Sequence, residues 1–167
     1  MTALPFDPTY NAIDLADSLD AIRHKYGDRY FANVDVMWEA AALWGITPDS
    51  GLINQAGVFT SATVALAVAV GRCNAEGRFA QAPNGYWAMS TNYTTPTSGY
   101  GYAPSVWSRV AFPSLDDARL AAVYELLGRL ERECPGADRG STGPDSPDLR
   151  ALITKLGTQK RPQLSLF

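Results

Sequence analysis

The stretch GYWAMSTNYTTPTSGYGYAPSVWSRVAF, residues 85–112, constrains this chain more than any other. It is rich in aromatic residues, threonine and valine, and it is interrupted at Pro96, Ser98–Gly99 and Pro104. That composition fits pleated, half-buried strands with turns at the proline and glycine positions, so two or three antiparallel strands are expected. Directly after it comes SLDDARLAAVYELLGRLERE, where the apolar residues change to helical spacing: Val123, Leu126, Leu127 and Leu130 share one face. Ser114 and Asp117 open this helix in the manner of a capping box, and Glu125 with Arg129 makes an i, i+4 pair expected on the surface. A small sheet with an apolar side and a helix with one apolar stripe satisfy each other as an α+β fold. The helix, about 114–133, covers one face of the antiparallel sheet, about 85–112.

The N-terminal half reads as helical. In NAIDLADSLDAIRHKYG, Asn11 is placed to cap, Asp14 lies near the positive end of the dipole, and Leu15, Leu19, Ile22 and Tyr26 line one face. Arg23, His24 and Lys25 fill its last turn and Gly27 closes it. A second helix is predicted in NVDVMWEAAALWG, between a capping Asn33 and Gly45, with Val34, Met37, Ala41 and Trp44 as its stripe and Trp38 beside it. TSATVALAVAVGRCNAEG, residues 60–77, is ambiguous. Val64, Leu66, Val68 and Val70 alternate as in a strand, but the residues between them are mostly alanine and Thr60 or Ser61 could cap. Length and alanine content favour a buried helix.

At 167 residues the chain has room for one domain and a short appendage, and 46% hydrophobic residues supply one core. Residues 1–134 are expected to form a single globular domain. CPGADRGSTGPDSP lacks apolar anchors, so 135–146 reads as a flexible linker. A short helix over 147–157 follows, with Ser146 as cap and Leu149, Leu152, Ile153 and Leu156 apolar, and then an appended tail over 158–167. A net charge of −3 argues against general nucleic-acid binding by charge alone. Cys73 and Cys134 form no CxxC pattern, no signal peptide is evident, and the longest apolar run, ATVALAVAV, is too short to span a bilayer. A cytoplasmic protein without a membrane partner is expected.

Most catalytic patterns are missing. His24 is the only histidine and reads as a solvated charge at a helix end. No zinc site, Ser-His-Asp arrangement or phosphate-binding glycine loop is readable, so no metal and no cofactor is expected. Asp14, Asp17 and Asp20, like Asp116 and Asp117, lie in or near first helical turns, where negative charge is stabilising. An enzyme would need a cleft drawn from residues such as Asp35, Glu39, Tyr86, Arg109 and Tyr124, and their spacing gives no support for one. A binding role is therefore favoured over catalysis. In the aromatic region, Tyr86, Trp87, Tyr93, Tyr100, Tyr102 and Trp107 with Arg109 offer a secondary binding surface that could stack bases or form a protein contact. Packing of alternate aromatics beneath the Ser114 helix is the stronger expectation, because the region holds one arginine and no lysine.

The last five residues differ in kind. Gln163, Leu164, Ser165, Leu166 and Phe167 resemble the short peptide by which bacterial polymerases, repair proteins and replication regulators dock on the β sliding clamp. The usual pattern is a Gln, an aliphatic residue, a small or acidic residue, then Leu and Phe, and all five positions match. A chance match at a given position is on the order of a few per million. The resemblance implies a bacterial clamp as partner, with DNA met only indirectly and the protein near the nucleoid when bound. Leu164, Leu166 and Phe167 would be the apolar anchors, and Pro162 restrains the backbone just before them. It also leaves three roles open: an accessory replication or repair protein, an inhibitory or protein-binding module of a phage or plasmid element, and a clamp-recruited enzyme acting on DNA or nucleotides. The alternative for the tail is a terminal strand that closes the protein's own core.

Overall fold

The computed structural model describes residues 10–133 and 146–160. The fold is α+β. In chain order the elements are β1 (Ile13–Asp14), α1 (Ala16–Tyr26), α2 (Val34–Ala42), β2 (Thr63–Val70), β3 (Cys73–Gln81), β4 (Trp87–Thr94), β5 (Gly99–Gly101), β6 (Val110–Ala111), α3 (Leu115–Glu133) and α4 (Ser146–Thr158). Strands β2-β3-β4-β5 form an antiparallel meander in sequence order, and β1 pairs with β6 in a two-stranded ribbon.

The expected helix over residues 60–77 is a hairpin, and the sheet spans 63–101 with an outlying β6 instead of beginning near residue 85. Alternation decides it. Leu66 and Val68 are buried while Ala67 and Ala69 face solvent, so the alanines occupy the open face of a strand. Gly71, at φ +56, makes the two-residue turn with Arg72, and the twist of such a turn suits a hairpin. A Cβ at Gly71 would overlap the Asp148 carboxylate, so the turn also seats the first turn of α4.

Two apolar cores lie on opposite faces of the sheet. On one face, Leu66, Val68, Ala75, Phe79 and Tyr93 pack against Leu126 and Leu130 of α3 and Leu152 and Leu156 of α4. Helix α3 is capped as expected, with the Asp117 N–H donating to Ser114 Oγ at 3.1 Å. Helix α4 is part of this core, since Leu152 and Leu156 are fully enclosed. The linker expected over 135–146 lies, apart from the first residue of α4, outside the described residues.

On the other face, at one end of the sheet, Ala80 and Ala88 meet Leu19 and Ile22 of α1, Met37 and Ala41 of α2, and Trp44, Phe59 and Val106. Trp44 is completely buried and donates its indole N–H to the Val106 carbonyl at 3.2 Å. Helix α1 begins later than the sequence indicates. Asn11 does not cap it; its N–H donates to Asp117 Oδ1, Ile13 and Asp14 are spent on β1, and Asp14 Oδ1 accepts from the Ala16 N–H. Asn33 caps α2 as expected, accepting from the Asp35 N–H at 2.9 Å. The stripe of α2 is turned, however: Val36 and Ala40 point inward and Val34 is 59% exposed.

Candidate functional site

Residues 163–167 lie outside the described residues. What the structure places is their approach. Helix α4 runs along β2 and α3, and Lys160, just beyond its end, sets its ammonium 4.5 Å over the ring of Tyr124. The chain is thus held to the body up to three residues before Gln163.

The aromatic set does not share one surface, because its members divide between the two cores. Tyr93 is fully buried and stacks on Tyr100 at 6.4 Å. Trp87 and Tyr100 pack on the same core, and Tyr102, at the sheet edge, meets the ring of Tyr100 at 6.0 Å. Tyr86 and Trp107 belong to the other core, in edge contact with Trp44 and Tyr30 respectively. Arg109 makes a bidentate pair with Asp20, both bonds 2.8 Å, and so ties the approach to β6 onto α1.

The residues offered as a cleft are likewise apart. Glu39 accepts from the Tyr26 hydroxyl and, at 3.0 Å, from Lys25 Nζ, which fastens α1 to α2. Tyr26 first and Lys25 second hold its carboxyl below the usual range. Tyr124 contacts Tyr10, and Tyr86 contacts Trp44. Asp14 accepts from the Ala16 N–H just before α1, and Asp117 belongs to the cap of α3. Among the described residues no group of three His, Cys, Asp or Glu side chains could hold a metal ion.

Among the described residues, a polar cluster is built into the seam of β4, β5 and α3. Glu125 Oε1 accepts from the Thr91 hydroxyl at 2.7 Å and from Arg129 Nε at 3.2 Å, and Glu125 Oε2 accepts from the Tyr102 hydroxyl at 2.9 Å. Arg129 also donates to the Tyr100 hydroxyl, and its guanidinium carbon lies 3.7 Å from that ring's centre. The Glu125–Arg129 pair, expected on the surface, is therefore turned into the seam, with side chains 11% and 23% exposed. Burial, and then the Glu125 charge, push the Tyr102 phenol far above its ordinary value, so it acts as a hydrogen-bond donor and not as a base. Both oxygens of Glu125 are engaged, which suits bracing of the β5 edge better than proton transfer. An open groove of about 460 Å³ adjoins this edge, lined by Thr60, Arg78, Asn92, Gly101, Tyr102 and Pro104. Glu76 holds Arg78 there at 3.0 Å. The sequence signal for the cluster was the i, i+4 pair, but its orientation depends on Thr91 and Tyr102, which only tertiary structure brings near.

Comparison with protein-family models, curated proteins and solved structures finds no match for this chain.

Proposed function

We propose that this protein docks on a bacterial sliding clamp through Gln163–Phe167 and competes there with other clamp-binding proteins. The observation that carries the reading is the complete match of QLSLF to the clamp-binding pattern. A pentapeptide with three apolar anchors and a glutamine buries little surface, so the binding is micromolar. The choice of competition over delivery rests on α4. The stretch 135–146 precedes this helix, and the helix is packed into the core, so that stretch does not separate the body from the peptide. The seam cluster has no free general base, which supports a binding role over a catalytic one.

The test is calorimetric titration of the full chain into a purified bacterial clamp, beside a variant ending at Pro162. Micromolar binding by the full chain, lost in the variant with the fold retained, is the expected result. No binding by the intact protein overturns the proposal.

A further inference from the structure

Charge is unevenly placed along this chain. After Asp148 there are four basic residues, Arg150, Lys155, Lys160 and Arg161, and no acidic one. The whole chain is −3, so the residues up to Asp148 sum to −7. An imbalance of this kind marks a segment with an electrostatic partner of its own.

Helix α4 turns the imbalance into a face. Leu149, Leu152 and Leu156 are buried against α3 and the sheet. Arg150, Thr154, Lys155 and Thr158 are exposed, as is Lys160 just past the helix. Among the described residues, none of the three cations pairs with a carboxylate. Lys155 reaches the Ala69 carbonyl oxygen at 3.4 Å, Lys160 lies over the Tyr124 ring, and Arg150 makes no ion pair. The helix dipole accounts for cations at the C-terminal end. It gives no reason for Arg150, which lies near the N-terminal end.

Position supplies the partner. In the docking proposed above, Gln163 is seated in the clamp pocket, and three extended residues span no more than about 10 Å back to Lys160. A helix rises about 1.5 Å per residue, so Lys155 lies about 8 Å and Arg150 about 15 Å from Lys160 along the axis. The basic strip thus begins at the root of the leash, in the part of the body brought nearest to the clamp.

We infer that the outer face of α4, through Arg150, Lys155 and Lys160, makes a second contact with the clamp, on an acidic protein surface beside the peptide pocket. This rests on the proposed docking and names the chemistry of the surface that the body meets. Exposed ion pairs are individually weak. Tethering makes them count, because once the peptide is seated the second contact forms at high effective concentration.

Calorimetric titration into the purified clamp, without DNA, at about 50 and about 500 mM sodium chloride tests this, because salt screens exposed pairs and spares apolar anchors. Three ligands are compared: the full chain, the free acetylated pentapeptide QLSLF, and the full chain carrying Arg150→Glu and Lys155→Glu. At low salt the full chain is expected to bind about tenfold tighter than the double variant, and the gap should close at high salt. The pentapeptide should change by less than about twofold between the two. Where the double variant does not give a native circular dichroism spectrum, Arg150→Glu alone decides, with an expected loss of about threefold. A folded variant that binds like wild type at low salt, while the pentapeptide binds, overturns this contact alone. Failure of both the pentapeptide and the full chain to bind overturns the docking and this contact with it.

Discussion

At the scale of the residue, charged side chains in this protein mostly fasten elements together. Asp20 is the clearest case. The hydrogen bond from Arg109, with the charges of Arg109, His24 and Arg23 behind it, holds the Asp20 carboxyl below its ordinary value of 3.8. The folded state thus keeps this group ionised to lower pH than the unfolded chain does. Its contribution to stability is complete above the unfolded value and is lost as pH falls through the folded one. Asp20→Asn is accordingly expected to lower the urea midpoint by a constant amount near neutral pH. The gap to wild type should close below about pH 4. The pair is solvent-exposed, so added salt should narrow the gap as well. Midpoints measured across pH at two ionic strengths check both. A gap that persists unchanged into acid would assign the loss to something other than the Asp20 charge.

At the scale of the element, α4 is the decisive piece. Leu152 and Leu156 are fully enclosed between α3 and the sheet. Leu152→Ala is expected to destabilise the whole protein by about 2–5 kcal/mol, as for other buried leucines. The urea transition should remain single, because the cavity opens in the shared core. A separate early transition, with the main one unmoved, would mean that α4 is a satellite of the body. Elements whose signals are local are legible in the sequence. The Ser114 cap and the stripe of α3, the Asn33 cap of α2 and the Leu15, Leu19 and Ile22 face of α1 were all legible, because capping and 3.6-residue spacing act within one element. The local signal fails at β2–β3. Alanine tolerates helix and strand alike there, and only the burial of Leu66 and Val68 against helices more than fifty residues away decides between them. The α+β class was legible, but the seam around Glu125 was not. Its partners Thr91 and Tyr100 come from strands and Tyr102 from just past β5, and no spacing within α3 announces them.

At the scale of the whole molecule, the question is how far the body stands from the proposed clamp. Lys160 lies on the body, and three residues at full extension bring Gln163 no more than about 10 Å away. A chain of this length has a radius of gyration of about 15 Å. The leash is shorter than the body it holds, so a clamp-bound protein must lie against the clamp surface. On the proposed docking, a chain of net charge −3 adds no general attraction to DNA there, and the effect of its body would be to cover what surrounds the pocket. Hydrogen exchange on the clamp separates this from delivery on a tether. Bound wild type is expected to protect amides in the pocket and on the surface around it. A variant with about 20 Gly and Ser residues inserted between Lys160 and Arg161 gives the body a mean reach of roughly 25 Å. It should keep the pocket protection and lose the rest, since the pentapeptide is unaltered while the body is released. Equal footprints from the two proteins would mean that the peptide alone meets the clamp. Occlusion by the body would then give way to simple competition for the pocket.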